Sequence, residues 1–145
     1  MARCAAYLCG AVLAAGFLQS CSQSEDLRAA ESAVAAFREA AQRGAFSEIY
    51  AGASAEMRTA IRQDSFVHLM ETVRTKLGAY LGSELKESRI DRQPSLTLVR
   101  LAYVTRFHQW PAAENFVFKV TEGRAELVSY DIRSPMFEGV PDVQK

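Results

Sequence analysis

The chain has 145 residues, with 17 basic and 17 acidic side chains and no formal net charge at neutral pH. That length suits one ordinary domain rather than two. A balanced charge without a basic stripe or polybasic run argues against nucleic acid as a partner and against electrostatic adsorption to an anionic membrane.

The N-terminal segment opens Met1-Ala2-Arg3 and then carries no charge from Cys4 to Ser24, with an apolar run centred on Gly10 to Leu18. A cationic start followed by a short apolar stretch is the layout of a secretion signal, and the stretch is too short to span a bilayer comfortably. Leu18-Gln19-Ser20-Cys21 resembles the lipobox of bacterial lipoproteins, although Gln19 departs from the usual small or apolar residue at its position. The resemblance implies a signal peptide over residues 1–20, cleavage before Cys21 and acylation of that cysteine. Cys4 and Cys9 fall in the removed segment, so Cys21 is left without a disulfide partner, an odd count that a lipid thioether explains. The other reading is an ordinary signal peptide cut near Ala14-Ala15-Gly16, which leaves Cys21 as a free thiol.

Residues 21–26 are expected to be the acylated cysteine and a short polar tether. Leu27, Ala30, Val34, Phe37 and Ala41 then recur at helical spacing, with Ser24 as the expected N-cap and Gly44 as the stop. Ala45 to Ala51 reads as a short helix ended by Gly52. Ser54 caps a further turn or two, and Asp64 is expected to cap a clear helix whose stripe is Phe66, Leu69, Met70, Val73 and Leu77, closed by Gly78.

From Tyr80 the period changes to alternation. Residues 80–90 make a strand of weak pattern, residues 91–94 a turn, and residues 96–109 a long strand with Thr97, Val99, Leu101, Tyr103, Thr105 and Phe107 on one face and Arg100, Arg106 and His108 on the other. Residues 114–121 place Phe116, Phe118 and Val120 in alternation; Glu122-Gly123-Arg124 turns the chain, and residues 125–132 return with Val128, Tyr130 and Ile132 on one face. Residues 134–145 read as a flexible C-terminal tail. The fold class that follows is α+β: N-terminal helices packed on one face of a curved four-stranded antiparallel sheet, forming one domain over residues 27–133.

Gly44-Ala45-Phe46, Ile49-Tyr50, the Phe66–Gly78 helix, Tyr103, Phe107, Glu114, Gly123 and Tyr130-Asp131-Ile132 together resemble a bacterial family of unknown function with a fold like nuclear transport factor 2. Ser95 after Pro94 departs from the glycine that the family pattern favours there. The resemblance implies a cone of helices against the sheet, often enclosing a pocket; fold alone does not choose the pocket's use.

His68 and His108, the only histidines, have no second ligand at metal spacing, and no metal or other cofactor is expected. The run His108-Gln109-Trp110-Pro111 places a histidine, an amide and an indole at a strand end, and Tyr103, Phe107, His108, Trp110, Phe116 and Tyr130 are the candidate pocket side chains. Asp131 is a general-base candidate, but alternation turns it away from Tyr130 and Ile132 toward solvent. Arg58, Arg62, Glu71 and Arg74 fit solvated helix faces. No nucleophile elbow or phosphate-cradling loop is present. The leading expectation is a non-enzymatic envelope lipoprotein, held at the membrane by its lipid anchor, that binds a small apolar ligand or a protein partner. The alternative is a pocket enzyme of isomerase or hydratase type, and a homodimer through the sheet face is compatible with either. Ser22 after the acylated cysteine implies the outer membrane, facing the periplasm, if the host is Gram-negative.

Overall fold

In the computed structural model the described residues run from Leu18 to Phe137, with side chains described from Glu25 onward. Residues 1–17, the Cys21 side chain and residues 138–145 lie outside the described part, and with them most of the expected signal segment and the end of the expected tail. Four helices precede four strands: α1 (Leu18–Arg43), α2 (Phe46–Ala51), α3 (Ala55–Ala60), α4 (Gln63–Leu77), then β1 (Tyr80–Gln93), β2 (Leu96–Phe107), β3 (Pro111–Thr121) and β4 (Arg124–Arg133). The strands form an open antiparallel meander in the order β1-β2-β3-β4. No helix among the described residues is long and apolar enough to cross a membrane.

The α1 stripe behaves as its spacing requires: Ala30, Val34 and Phe37 are buried, and the helix stops before Gly44. Its start differs from the expectation. The helix runs back through Ser24 to Leu18, because no proline or glycine interrupts the 21–26 segment. Asp26, placed in the expected tether, pairs with Arg92 at the end of β1 at 3.6 Å. Ser54 caps α3 as expected, accepting from the Met57 amide at 3.3 Å, and its own amide donates to the Leu127 carbonyl, which ties α3 to β4. The α4 cap is Arg62 rather than Asp64; Asp64 sits inside the first turn, where its charge still complements the helix N-terminus and its side chain pairs with Arg62 at 2.9 Å.

Val99, Leu101, Tyr103 and Thr105 of β2 and Phe116, Phe118 and Val120 of β3 are buried on one face, as alternation predicts, and Arg100 and Arg106 are exposed on the other. All four helices contribute to the core that covers this face. Phe116 is its centre: its ring lies 5.2 Å from Phe37, 6.0 Å from Tyr103 and 5.0 Å from Tyr130, centroid to centroid.

Two strands depart from simple alternation. In β1 the pairing skips a residue between Tyr80 and Gly82 and again between Leu85 and Glu87, so that strand's weak pattern is a strand with two bulges, and it continues to Gln93 where a turn was expected from residue 91. In β4 the register shifts between Ser129, opposite Val117, and Leu127, opposite Phe118. The extra residue is Val128. Leu127 therefore joins Tyr130 and Ile132 on the inner face, in place of the expected Val128. The β3–β4 turn is a two-residue hairpin in which Glu122 and Gly123 both have positive φ, 51° and 76°, the conformation that matches the twist of the flanking strands.

Residues 134–137, the only described part of the segment expected as a loose tail, pack against the domain. Ser134 is buried and donates its hydroxyl to the Pro111 carbonyl at 2.8 Å, and a 3-10 turn over Pro135–Phe137 places Phe137 against the small cluster of Val73, Leu77 and Ala112.

Candidate functional site

A cavity of about 350 Å³ lies between the C-terminal halves of α1 and α4 and the inner face of the sheet. Its walls are mostly apolar: Phe37, Ala41, Phe46, Met70, Val73 and Phe107. Its polar groups are Arg38 and Gln42 from α1, Arg74 from α4, Tyr80, Glu114 and Tyr130. A few convergent polar groups in an apolar enclosure is the usual make-up of a small-molecule site.

The polar groups are organised around one buried ion pair. Arg38 follows Val34 by one helical turn, so it projects from the buried stripe of α1 toward the sheet. Glu114 holds a core-facing position of β3, two residues before Phe116, and its side chain is only 4% exposed. Arg38 Nη2 donates to Glu114 Oε2 at 3.1 Å and to Thr105 Oγ1 at 3.4 Å. Thr105 in turn donates to the same carboxylate oxygen, and Tyr130 donates its hydroxyl to Glu114 Oε1 at 2.8 Å. Arg38 Nη1 donates to Tyr80 at 3.4 Å and to Ser83, whose hydroxyls lie 3.1 Å apart. The guanidinium also lies over the Tyr103 ring, 4.5 Å from its centroid, a cation–π contact. Only its buried Nε lacks an acceptor among the described residues.

The bulge at Leu81 makes this constellation. Tyr80 and Ser83 are three apart and in a regular strand would face opposite ways. With Leu81 left out of the pairing, Tyr80 opposes Phe107 and Ser83 opposes Thr105, both inward positions. The bulge at Val128 likewise sets Tyr130 opposite Phe116, within reach of Glu114.

This geometry limits what Glu114 can do. An ionised carboxylate has about four lone-pair positions, and three are taken by Arg38, Thr105 and Tyr130. A general base needs a free oxygen in reach of its substrate. Glu114 is instead the fixed anion that holds Arg38 in place. Burial, followed by the Glu114 charge and the hydrogen bond to it, holds the Tyr130 phenol well above its ordinary value, so it stays a neutral donor through the physiological range. Burial also raises Tyr103.

The six candidate pocket residues divide. Phe107 and Tyr130 line the cavity. Tyr103 stacks on Arg38 at its edge, and Phe116 is the fully buried ring behind it. His108 and Trp110 do not line it. His108 and Gln109 instead donate their amides to the carbonyls of Ala79 and Leu77 at 2.8 and 2.9 Å, so the β2–β3 loop clamps the segment that ends α4 and supplies a donor to the Leu77 carbonyl that the helix leaves unpaired. This close approach requires Gly78: its φ is 79°, and a β-carbon there would come within 3.2 Å of His108 Cβ. Trp110, 44% exposed, follows this clamp on the outside.

Asp131 is exposed, as alternation requires, and accepts from Asn115 at 3.4 Å. Arg74 is not simply a solvated helix residue, since it forms part of the cavity rim. Of Arg38, Thr105 and Glu114, the centre of the site, the sequence marked Thr105 only as a strand-face residue and Glu114 only as part of the family resemblance, and Arg38 not at all. The signal was there as polar residues at inward positions, Arg38 one turn after Val34 and Glu114 in the series Ala112, Glu114, Phe116, Phe118. In comparisons with family models, curated proteins and solved structures, the chain has no significant match.

Proposed function

We propose that this chain is a lipid-anchored protein of the bacterial cell envelope whose domain binds a small, largely apolar molecule without transforming it. The observation that carries the binding reading is the 350 Å³ cavity with apolar walls, bordered by an ion pair most of whose hydrogen bonds are made within the protein. Three of the roughly four lone-pair positions of Glu114 are filled from within the protein, which weighs against the isomerase or hydratase alternative and its need for a carboxylate free to take a proton. Helices followed by a four-stranded meander, with a cavity between the layers, agree with a nuclear-transport-factor-2-like architecture. The anchor rests on the Leu18–Cys21 lipobox, and Ser22 favours the outer membrane in a Gram-negative host.

Methionine methyl resonances test the binding. Of the methionines whose side chains are described, Met70 lines the cavity, Met57 is buried in the main core and Met136 is exposed. In the full chain, held in lipid nanodiscs and labelled at the methionine methyls, 1-octanol is expected to shift Met70 saturably and leave Met57 and Met136 in place. An unmoved Met70 at octanol saturation overturns the binding reading. For the anchor, the expected result is an intact mass that starts at acylated Cys21, with the Cys21→Ala variant unprocessed or released; a soluble wild type cut elsewhere overturns it.

A further inference from the structure

The lining of the cavity carries three formal charges, and two of them cancel. Arg38 and Glu114 are joined at 3.1 Å and are both largely buried. The third, Arg74, has no carboxylate within 4 Å among the described residues, although Glu71 lies on the adjoining cleft that Arg74 also borders. Its guanidinium lies over the α1–α2 junction, where a β-carbon on Gly44 would meet Nη1 at 2.7 Å, so the glycine leaves the room that this placement needs. The same cavity wall carries Gln42, an amide that donates as well as accepts. The cavity thus has one uncompensated positive charge at its rim, a neutral polar neighbour and an apolar interior.

We infer that the ligand is an amphiphilic monoanion, a medium-chain or similarly sized aromatic carboxylate, with its apolar body among Phe46, Met70, Val73 and Phe107 and its carboxylate at Arg74 and Gln42. This rests on the binding reading above and specifies its substrate class. The size follows from the volume: about 350 Å³ equals roughly a dozen water molecules. That room suits an apolar body of about ten non-hydrogen atoms. A cationic amphiphile is disfavoured because it would put its charge beside Arg74 with no free anion to receive it. A polyanion lacks a second cation.

The test compares three probes with one apolar body, octanoate, 1-octanol and octylamine, titrated near neutral pH into the full chain in nanodiscs and read at the Met70 methyl. Octanoate is expected to bind roughly fivefold more tightly than octanol, the scale of one partly exposed charge interaction, with octylamine weakest. Arg74→Gln, an exposed position whose exchange leaves the core intact, should bring octanoate to parity with octanol, the two affinities being compared within the same variant. Raising the salt should narrow the gap in the wild type. Equal affinities for octanoate and octanol, or a preference that survives Arg74→Gln, overturn the anion assignment while leaving the binding reading in place. If none of the three probes moves Met70, both fall.

Discussion

The inner face of the sheet has two ends built from the same three elements by different chemistry. At one end, Ala30 and Val34 of α1, Val99 and Leu101 of β2, and Phe118 and Val120 of β3 make a dry, filled core. At the other, one or two turns further along α1 and a few residues along the strands, Arg38 and Gln42, Thr105, and Ala112 and Glu114 take the corresponding positions. Phe116 lies at the boundary. All three elements change character at the same level, so the polar end is a built feature rather than one misplaced charge. At the first end the inward side chains only pack; at the second they also satisfy one another's hydrogen bonds, and the cavity lies beside them.

The comparison is sharpest when one end is damaged at a time. Truncating the boundary, Phe116→Ala, removes a fully buried ring shared by both ends and is expected to cost about 3–5 kcal/mol in denaturant unfolding. A loss under about 1 kcal/mol would mean that the two ends do not share a core.

Arg38→Met leaves Glu114 buried without its cation and should cost a similar 3–5 kcal/mol, whereas the double variant Arg38→Met/Glu114→Leu should recover much of it, because paired charges of this kind are often replaceable together. Additive losses in that cycle would show the two side chains to be independent.

Tyr130→Phe removes the hydroxyl that donates to Glu114 and should cost about 1.5–3 kcal/mol at neutral pH. The Tyr130 phenol titrates higher in the folded protein than in the unfolded chain, where its value is about 10. Its contribution is therefore fully present below pH 10 and is lost as the pH rises from there toward the folded value. The wild type should lose stability through that alkaline window more steeply than Tyr130→Phe, as read by urea midpoints. Identical alkaline slopes would contradict the buried Tyr130–Glu114 bond.

At the dry end the polar interactions are peripheral. Lys119 holds both carboxylate oxygens of Glu56 at 2.9 and 3.0 Å, joining α3 to β3 on the surface. The hydrogen bond from Lys119 is the main cause that lowers Glu56 to about 2. A carboxyl lowered in the folded state contributes stability above its unfolded value near 4.5, and that contribution fades as the pH falls toward 2. Lys119→Met should therefore produce the smallest change of the set, visible above pH 4.5 and vanishing in acid. An effect as large as that of Arg38→Met would reverse the contrast between the two ends.

The dry end was the part legible in the sequence. Period and burial coincide there, so Val34, Phe37, Val99, Leu101, Phe116 and Phe118 fall on the core face by spacing alone. The polar end was not, for two physical reasons. A bulge changes which residues share a face and leaves no fixed mark in composition, so Ser83 beside Tyr80, and Leu127 in place of Val128, emerge only from the pairing register. An arginine on a helix and a glutamate on a strand also read as surface residues until they are seen to face each other across the layer. His108 and Trp110 lie off the cavity, and the amides of His108 and Gln109 are committed to the carbonyls of Ala79 and Leu77.

The most direct test of the central claim, that the polar end encloses a binding site, is a crystal of the protein soaked with 8-bromo-1-octanol and measured at the bromine edge. An anomalous peak between Met70, Val73 and Phe46, lost in Ala41→Phe, is the predicted result. Bromine found only on the surface, with the space beside Arg38 and Glu114 filled by protein side chains, would contradict it.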